Sequence, residues 1–497
     1  MRNEDLILRK LSNIVGSENI SSDPAILVCY SRDQSPKQAK NPICVVLPST
    51  KKEIQEIVKV ANDNKIPIIP RSTGVNVAGM CIPTYESILI DLTRMDRIIE
   101  IDEKNMTAII EPGVLMAQLQ AEASKRGLKI VVPSAPGSVS VMANYIATRG
   151  TSIASVKFGV GDNHLVGLEW ILPDGRLLDL GSTVNTNGWQ TGCIGHSPGP
   201  DLIGLFLSAG GGLGICTKAK VKLYPKPDVR KSLIVMYKER DNLLDAMFMV
   251  QKSGISSSGY VHLPSTYAAQ FFTLDDKTAN IVMKMLPPYG LLVFFEGTKR
   301  QVEYEEEIFN NIIKKTQGNI LDLAKTVKAF GGAGAGLDPK PPETGIIHQT
   351  DYMTITVRIM RPKGAFGITV LLHSITDSFE IYDKFEEICK KFGYKDFTTY
   401  YIQPIDDYHY AFIEMDIVYD QGQITDRQLA EKILLEVNKA FILEGEGLNY
   451  YESVIGGVGK LAGPKFGLYY DLLKQFKKML DPNNIMNPGV YLSELGD

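Results

Sequence analysis

The sequence lacks the features of a secreted or membrane-spanning chain. Its first residues, Met1-Arg-Asn-Glu-Asp-Leu6, contain no apolar segment of the kind found in a signal peptide, and no later run is long and apolar enough to span a bilayer. We therefore expect a cytoplasmic protein, and peripheral attachment to a membrane through a partner stays open.

The sequence also lacks a strong excess of either charge. It has 53 basic and 57 acidic residues, a net charge of −4, and no run of Lys and Arg that could form a basic patch. This balance argues against a nucleic-acid partner. At 497 residues the chain is too long for a single core, so we expect two or three domains.

Cysteine is scarce and scattered. No C-x-x-C pair and no His at zinc-ligand spacing accompany the six cysteines, which are Cys29, Cys44, Cys81, Cys193, Cys216 and Cys389. We interpret them as reduced thiols, and we expect no metal site, no haem and no iron–sulfur cluster. Electrons from any redox reaction in this chain must then pass to another molecule.

Small residues, in contrast, are concentrated in three loops. The first lies within Pro67–Met80, after a short apolar run, and its small side chains leave backbone N–H groups open to a phosphate or pyrophosphate. The second is Pro133–Gly150, and the third, Ser208–Thr217, precedes the strand-like Lys218–Leu223. No G-x-G-x-x-G follows a strand, so the pattern is not the Rossmann fingerprint.

Periodicity predicts short helices and strands before Pro225-Lys-Pro227, which marks a domain boundary. Ser49 or Thr50 should cap the helix Lys51–Asn64. Other predicted helices are 3–15 and 115–125, and the predicted strands are 43–47, 66–69, 87–92, 97–101, 106–110, 128–132, 165–172, 176–180 and 215–224.

Longer helices and strands follow residue 228, which indicates an α+β domain built around an antiparallel sheet. The predicted helices are 241–252, 301–315, 377–391, 426–444 and 465–480, and the predicted strands are 291–295, 352–359, 398–402 and 411–419. We interpret the Gly-rich segment 330–342 as a loop in preference to a lid.

Five blocks together resemble the vanillyl-alcohol oxidase and p-cresol methylhydroxylase (PCMH) superfamily, whose FAD-binding domain glycolate oxidase and D-lactate dehydrogenase flavoproteins share. The blocks are the three loops, Val160–Arg176 and Asp481–Gly489, and their order and spacing match over nearly the whole chain. The resemblance implies an α+β fold: a PCMH-type FAD-binding domain of two α+β subdomains (1–227), an antiparallel-sheet cap (228–445) and a C-terminal segment returning to the FAD domain (446–497).

The resemblance also implies which residues bind FAD. In the first loop, the residues that would hold the pyrophosphate are Arg71, Ser72, Thr73, Gly74, Val75, Asn76 and Gly79. In the second loop, those that would follow the isoalloxazine ring and ribityl chain are Pro136, Gly137, Ser138, Ser140, Ala143, Asn144 and Ile146. The third loop would contact the adenosine side through Gly211, Leu213, Gly214 and Ile215, and Asn487 of the C-terminal block would lie near the ring.

Two departures from the family pattern concern the flavin. Met142-Ala143 stands where many relatives have a Gly pair, so this side of the flavin is more crowded. Covalent relatives carry a His after the first loop or in the cap, whereas here no His or Cys precedes Cys81 in that loop and 362–367 contains no His or Tyr. We therefore expect non-covalent FAD.

In the cap, the His-rich metal motif of the glycolate and D-lactate enzymes is absent. Thr398–Asp420 instead looks like the cap strand pair of the aryl-alcohol and p-cresol enzymes, with their His-containing turn at His409. Their phenol-binding Tyr and Arg fall near Tyr450 and Tyr451, so the Arg is missing. His409, Tyr450 and Tyr451 are the predicted catalytic residues, with a structural or packing role as the alternative for each.

The resulting hypothesis is an FAD-dependent dehydrogenase that transfers hydride from an alcohol or 4-alkylphenol to flavin N5. Its electrons would pass to a cytochrome or an electron-transfer flavoprotein, and the chain would act as a homodimer or as a subunit of a complex. Two alternatives remain: a 2-hydroxy-acid dehydrogenase that binds its substrate carboxylate with Arg or Tyr, and a flavin electron-transfer subunit of a larger complex.

Overall fold

The computed structural model describes residues 3–133, 136–192, 195, 197–255, 259–272, 276–322, 364–396, 398–443, 448–449 and 463–490. Tyr450, Tyr451, Cys193, the predicted strand 352–359 and the predicted loop 330–342 lie outside these residues. Among the helices that are described, none combines the length and the apolar character needed to cross a bilayer. Cys29, Cys44, Cys81, Cys216 and Cys389 are free thiols, as predicted.

The chain begins with a small α/β layer. Its four-stranded sheet has the order β1-β2-β4-β3 with β2, β4 and β3 parallel, and its strands are β1 (Ile20–Ser21), β2 (Cys44–Val46), β3 (Ile68–Arg71) and β4 (Ile88–Asp91). The helices are α1 (Asn3–Val15), α2 (Pro24–Leu27) and α3 (Lys51–Asn64), of which α1 and α3 pack on the sheet. The Thr50 side chain accepts the Glu53 N–H at 3.2 Å and caps α3, which confirms the predicted helix start.

A second, antiparallel sheet follows, with the order β5-β6-β10-β8-β9. In chain order the strands of this region are β5 (Ile98–Asp102), β6 (Thr107–Ile110), β7 (Leu128–Lys129), β8 (Leu165–Ile171), β9 (Leu177–Gly181), β10 (Ile215–Lys222) and β11 (Tyr224–Pro225), of which β7 and β11 form a separate pair. The helices are α4 (Met116–Ser124), α5 (Ser155–Phe158), α6 (Gly188–Thr191) and α7 (Ile203–Phe206).

The third sheet is antiparallel and has eight strands in the order β15-β12-β14-β13-β17-β18-β16-β19. They are β12 (Val229–Tyr237), β13 (Tyr260–Pro264), β14 (Tyr289–Gly297), β15 (Asn319–Ile320), β16 (Gly364–His373), β17 (Thr399–Ile405), β18 (Tyr410–Asp420) and β19 (Leu448–Asn449). The helices are α8 (Arg240–Ser253), α9 (Ser265–Phe272), α10 (Asp276–Met285), α11 (Lys299–Lys315), α12 (Ser378–Lys391), α13 (Ile424–Asn438) and α14 (Leu468–Leu480).

The two faces of the eight-stranded sheet have different neighbours. Four helices, α8, α11, α12 and α13, cover one face and form the largest apolar core with it. The opposite face packs against Ile153 and Val160 of the N-terminal region through a smaller apolar cluster that includes Val370 and Phe412. This second face is therefore the one directed at the three loops.

The predicted α+β class is confirmed, but several elements were missed. Strands β12, β13 and β16 and helices α9 and α10 had no predicted counterpart. Residues on both faces of β16 are buried, for example Val370 and Leu371, whose side chains point in opposite directions. Such a strand does not alternate between apolar and polar residues, so period two gives no signal.

A buried ion pair holds the C-terminal block on the N-terminal region. The Lys477 ammonium lies 2.6 Å from the Asp481 carboxylate and donates to the carbonyls of Gly212 (2.7 Å) and Met486 (3.2 Å). The two charged side chains are 1% and 0% exposed. Asp481 also accepts the N–H groups of Ile485 and Met486, so both charges are satisfied by hydrogen bonds.

We predict that Lys477→Met destabilises the fold by about 3–5 kcal/mol, because a buried carboxylate loses its cation. Lys478→Met is the matched control, since the neighbouring lysine is exposed and its replacement should cost less than about 0.5 kcal/mol. Urea denaturation followed by circular dichroism measures both. Equal midpoints for the two variants would contradict the role given to Lys477.

Candidate cofactor and active site

A cavity of about 310 Å³ lies where the three small-residue loops meet the eight-stranded sheet. Residues 70–78 of the first loop form one wall, and the π-helical segment Ala143–Thr148 forms another. Gly210, Gly211 and Gly214 of the third loop complete the N-terminal side. The opposite side comes from α9, β16, β17 and β18.

The first loop offers backbone donors to this cavity. It begins where β3 ends, and Gly74 has a φ of +71°, which favours glycine. Within the described part of the chain, the backbone N–H groups of residues 73–77 donate to no protein acceptor. Consecutive free donors of this kind form an anion-binding concavity.

The third loop approaches the first so closely that a side chain would not fit. A Cβ atom on Gly211 would lie 2.6 Å from the ring carbon Cγ of Pro70, and the Gly211 φ of +81° is also strained for other residues. Asn487 fixes this approach, because its amide nitrogen donates to Met80 O (3.0 Å) and Gly210 O (2.6 Å). The C-terminal block therefore joins the first and third loops.

The second loop contributes a polar group from the start of a helix. Ser140 Oγ donates to Pro112 O (2.6 Å) and accepts the Ala143 N–H (3.2 Å), which orients the helix that follows. Asn144 and Gln34 both line the cavity, and each has a buried amide oxygen with no hydrogen-bond partner among the described residues. A ligand with N–H or O–H donors would satisfy both oxygens.

The structure brings most of the predicted cofactor residues to the cavity wall. These are Arg71, Ser72, Thr73, Gly74, Val75, Asn76, Pro136, Ala143, Asn144, Ile146, Gly211, Gly214 and Ile215. Other predicted residues lie outside the lining: Gly79, Gly137, Ser138, Ser140, Leu213 and Asn487. Among these, the Gly79 N–H donates to Asp33, and Leu213 O accepts from the indole of Trp170. These two hydrogen bonds hold the first and third loops in place.

Two buried carboxylates lie on the cap side of the cavity. Glu414 and Asp416 are two residues apart on β18, so their side chains point to the same face of the sheet. Tyr401, opposite Glu414 on β17, donates its hydroxyl to Glu414 Oε2 at 3.0 Å. Tyr267 of α9 lies next to Tyr401, with 5.6 Å between the ring centroids.

Burial changes the acidity of both carboxyl groups. It raises the pKa of Glu414 to about 7, and the Tyr401 hydrogen bond opposes this rise. Burial and the nearby Glu414 charge raise the pKa of Asp416 well above its usual value. Asp416 is 2% exposed, and its Oδ1 has no partner among the described residues. The pair therefore retains at least one proton near neutral pH.

Sequence reasoning missed Glu414 and Asp416. The available signal was a pair of acidic residues two positions apart in the apolar run Ala411–Tyr419, because carboxylates are rarely buried without a function or a partner. His409 lies on the exposed turn between β17 and β18, where its Nδ1 is 2.8 Å from Asp406 O, and it does not line the cavity. Its catalytic assignment, like those of Tyr450 and Tyr451, stays a prediction.

The residues present fit a flavin dinucleotide. The first loop presents free N–H groups suited to a pyrophosphate, the glycines at 74 and 211 allow close approach, and the two amide oxygens accept donors. The apolar remainder of the wall, including Met142, Trp170 and Phe206, suits a planar ring system.

Comparison with known proteins agrees with this fit. Residues 42–181 match the family described as FAD binding domain. The chain is 26% identical to the glycolate oxidase subunit GlcD of Bacillus subtilis (strain 168), covering 97% of this chain and 96% of that protein. It is 24% identical to the 4-cresol dehydrogenase [hydroxylating] flavoprotein subunit of Pseudomonas putida, covering 97% and 94%.

The fold has a counterpart among solved structures. The crystal structure of p-cresol methylhydroxylase with substrate bound superposes with a TM-score of 0.82 at 22% identity, covering all of this chain and 98% of the other. This likeness confirms the predicted PCMH-type fold. The matched domain and the full-length relatives show that the chain is an FAD-dependent oxidoreductase, and it is similar to proteins of the vanillyl-alcohol oxidase and p-cresol methylhydroxylase superfamily.

Proposed function

We propose that this enzyme is a dehydrogenase that oxidises an alcohol or a 4-alkylphenol and passes its electrons to a protein acceptor. The observation that carries the proposal is the Glu414–Tyr401 hydrogen bond beside Asp416 in the cap wall of the FAD cavity. This arrangement supplies a proton acceptor on the side of the cavity that faces the three loops.

FAD supplies the hydride acceptor when it is bound. Oxidation of an alcohol or a phenol also releases a proton from the substrate hydroxyl, and the protein must accept it. A base is most effective when its pKa lies near the working pH, and the pKa of Glu414 is about 7. Glu414 is therefore the proposed base, and Tyr401 stabilises its ionised form and fixes its position.

The charge of the cap wall favours a neutral substrate. Among the described residues that line this side, Glu414 and Asp416 are acidic, and the others are Tyr267, Ile368 and Tyr401. A negative substrate group close to Glu414 would raise the cost of ionising it, because like charges repel strongly in a buried site. A substrate hydroxyl meets no such opposition.

The alternative, a 2-hydroxy-acid dehydrogenase, has two observations in its favour. The first is the full-length likeness to a glycolate oxidase subunit. The second is Arg71, a cavity-lining cation that stacks on the Tyr30 ring at 4.4 Å. Arg71 could pair with a substrate carboxylate, but it extends from the loop assigned to the pyrophosphate, on the opposite side from Glu414.

The acceptor is proposed to be a protein such as a cytochrome or an electron-transfer flavoprotein. The GlcD relative and the 4-cresol dehydrogenase relative are both named as subunits. That description supports an assembly in which reduced flavin passes electrons to a partner. A role for this chain as a pure electron-transfer subunit remains the third candidate, and a substrate test separates it from the other two.

We predict that denaturation and filtration of the purified yellow protein release FAD into the filtrate, because neither expected covalent anchor position carries a suitable residue. Gly211→Val should contain no FAD, since its Cβ would meet the Pro70 ring. The matched control is Gly199→Val, because Gly199 has the same φ of +81° but an added Cβ would meet nothing within 4 Å. Flavin retained by the precipitate would contradict the non-covalent assignment, and FAD in Gly211→Val would contradict the cradle.

Anaerobic mixing with a substrate panel tests the reaction class. We expect aromatic alcohols or 4-alkylphenols to bleach the flavin absorbance, and we expect glycolate, D-lactate and D-2-hydroxyglutarate to leave it unchanged. Bleaching by the hydroxy acids alone would establish the alternative. If no small molecule reduces the flavin, whereas reduced partner proteins do, the electron-transfer role is correct.

For an active substrate, the rate of anaerobic flavin reduction should rise with pH through about 7 as Glu414 ionises. Glu414→Gln should lower the high-pH plateau of this rate by roughly 10²–10⁴-fold and remove the rise of the rate with pH. Tyr401→Phe removes a hydrogen-bond donor to the carboxylate, so the rise of the rate should move to higher pH. Tyr400→Phe, on the same strand but bonded to His262 on the other face, is the control. If Glu414→Gln keeps both the high-pH plateau of the reduction rate and its rise with pH, Glu414 is excluded as the base.

A further inference from the structure

The cap wall of the cavity carries two acidic groups without a cation beside them. Glu414 and Asp416 both line the cavity from β18. Among the described residues, no Lys, Arg or His forms an ion pair with either carboxylate, and Tyr401 is the hydrogen-bond donor to Glu414. The cation that the described residues contribute to the lining is Arg71, on the opposite wall. Buried carboxylates are normally paired, so this wall favours a ligand that brings a positive charge.

The elements packed around Asp416 do not supply that charge. Its partners across the sheet are Ile368 of β16 and Thr399 of β17. Thr399 is in turn bonded to Thr266 of α9, with 3.2 Å between the hydroxyl oxygens, and α9 contains no Lys, Arg or His. Asp416 is 2% exposed, and within the described parts of the chain its Oδ1 has no hydrogen-bond partner. A buried acceptor in this state is costly, and a ligand in the adjoining cavity would satisfy it.

Two aromatic rings lie beside the carboxylates. Tyr267 and Tyr401 line the cavity, with 5.6 Å between the ring centroids and 76° between the ring planes. Burial and the charges of Glu414 and Asp416 raise the pKa of the Tyr267 hydroxyl well above its usual value, so this ring lies within electrostatic range of both carboxylates. Aromatic faces attract ammonium groups, and the attraction grows when water is excluded. The wall therefore offers negative charge, a free acceptor and ring faces to one kind of ligand group, an ammonium.

A metal ion fits this wall less well than an ammonium. The described residues contain no group of three or more His, Cys, Asp or Glu side chains that could hold a metal. Calcium binds about six to eight oxygen ligands, and magnesium requires near-octahedral geometry. Two carboxylates cannot supply such a shell, whereas an ammonium needs few acceptors and also gains from the aromatic rings.

The spacing of the two carboxylates limits where the ammonium lies in the substrate. Residues two positions apart on one strand are separated by about 7 Å, and Glu414 is the proposed acceptor of the hydroxyl proton. If Asp416 binds the ammonium of the same molecule, only a few bonds separate its hydroxyl group from its nitrogen. An amino alcohol with the nitrogen one or two carbons away from the hydroxyl-bearing carbon has this arrangement.

We propose that Asp416, with the rings of Tyr267 and Tyr401, binds a substrate ammonium group, and that the substrate is an amino alcohol. The inference rests on the proposed function for the oxidation of an alcohol, and it adds the second group by which the substrate is recognised. The ammonium is unchanged in the reaction. The hydroxyl group loses its proton to Glu414, its carbon loses a hydride to FAD, and the product is an amino ketone or amino aldehyde.

Three probes that share one carbon frame test the charge preference of the site. 2-Amino-1-phenylethanol carries the ammonium, 1-phenyl-1-propanol has a methyl group in its place, and mandelate has a carboxylate. Anaerobic titration of the holoenzyme, followed by flavin absorbance, gives a dissociation constant for each probe whether or not the flavin is then reduced. We expect the amino alcohol to bind at least about tenfold more tightly than its neutral analogue, and mandelate to bind most weakly.

Variants of Asp416 test whether this residue causes the preference. Asp416→Asn should abolish it, because the amide carries no charge, and Asp416→Glu should retain part of it. The matched control is Asp420→Asn, which removes the same charge from the same strand. Asp420 does not line the cavity, and its Oδ1 accepts the Gly422 N–H at 2.8 Å, so this control should change none of the three dissociation constants. The FAD content of each variant reports whether the cavity is intact.

The outcomes separate this inference from the proposed function. Tighter binding of the amino alcohol that is lost in Asp416→Asn, without flavin reduction by any probe, would support the ammonium site and contradict the alcohol oxidation. Flavin reduction by both alcohols with equal dissociation constants would support the oxidation and overturn the ammonium site. An amino alcohol that does not bind, or a preference that survives in Asp416→Asn, would overturn it as well. Calorimetric binding of Ca²⁺ that Asp416→Asn abolishes would assign the carboxylates to a metal ion.

Discussion

The ion pair between Lys477 and Asp481 determines how the C-terminal block meets the N-terminal region, and the cofactor cavity depends on that contact. Lys477 holds the carbonyls of Gly212 and Met486, and Asp481 holds the backbone N–H groups that precede Asn487. Asn487 then joins Met80 to Gly210. Two loops that are far apart in sequence are thus positioned by a third segment, so the geometry of the FAD site depends on charges buried outside it.

The cap wall follows a different physical logic. Burying Glu414 and Asp416 near one another is unfavourable, since each charge loses water and faces a like charge. The surrounding strands maintain this arrangement, because Tyr401 satisfies one carboxylate and protonation relieves the other. Buried groups that cost stability in this way are concentrated at functional sites. That reasoning, together with the cavity, makes this wall the place where substrate chemistry is proposed.

The sequence was informative where local rules decide the structure. Helix α3 agrees with its predicted bounds because Thr50 caps it and its apolar residues repeat with the helical period. The first loop could be recognised because a backbone cradle needs small residues in succession. Strand β16 was missed because it is buried on both faces, and the proposed roles of Glu414 and Asp416 were missed because their burial depends on distant segments.

The cofactor site was easier to predict than the substrate site for a physical reason. A pyrophosphate is held mainly by backbone N–H groups, so its site appears in the sequence as contiguous stretches of small residues, such as the first loop. A substrate site is made of side chains from separate elements, and the proposed one takes Tyr267, Tyr401 and Glu414 from α9, β17 and β18. Their proximity depends on strand register: Tyr401 meets Glu414 because the two residues are paired across the hairpin. A shift of one residue would turn the carboxylates towards the helical face, and this is why no local pattern could place them.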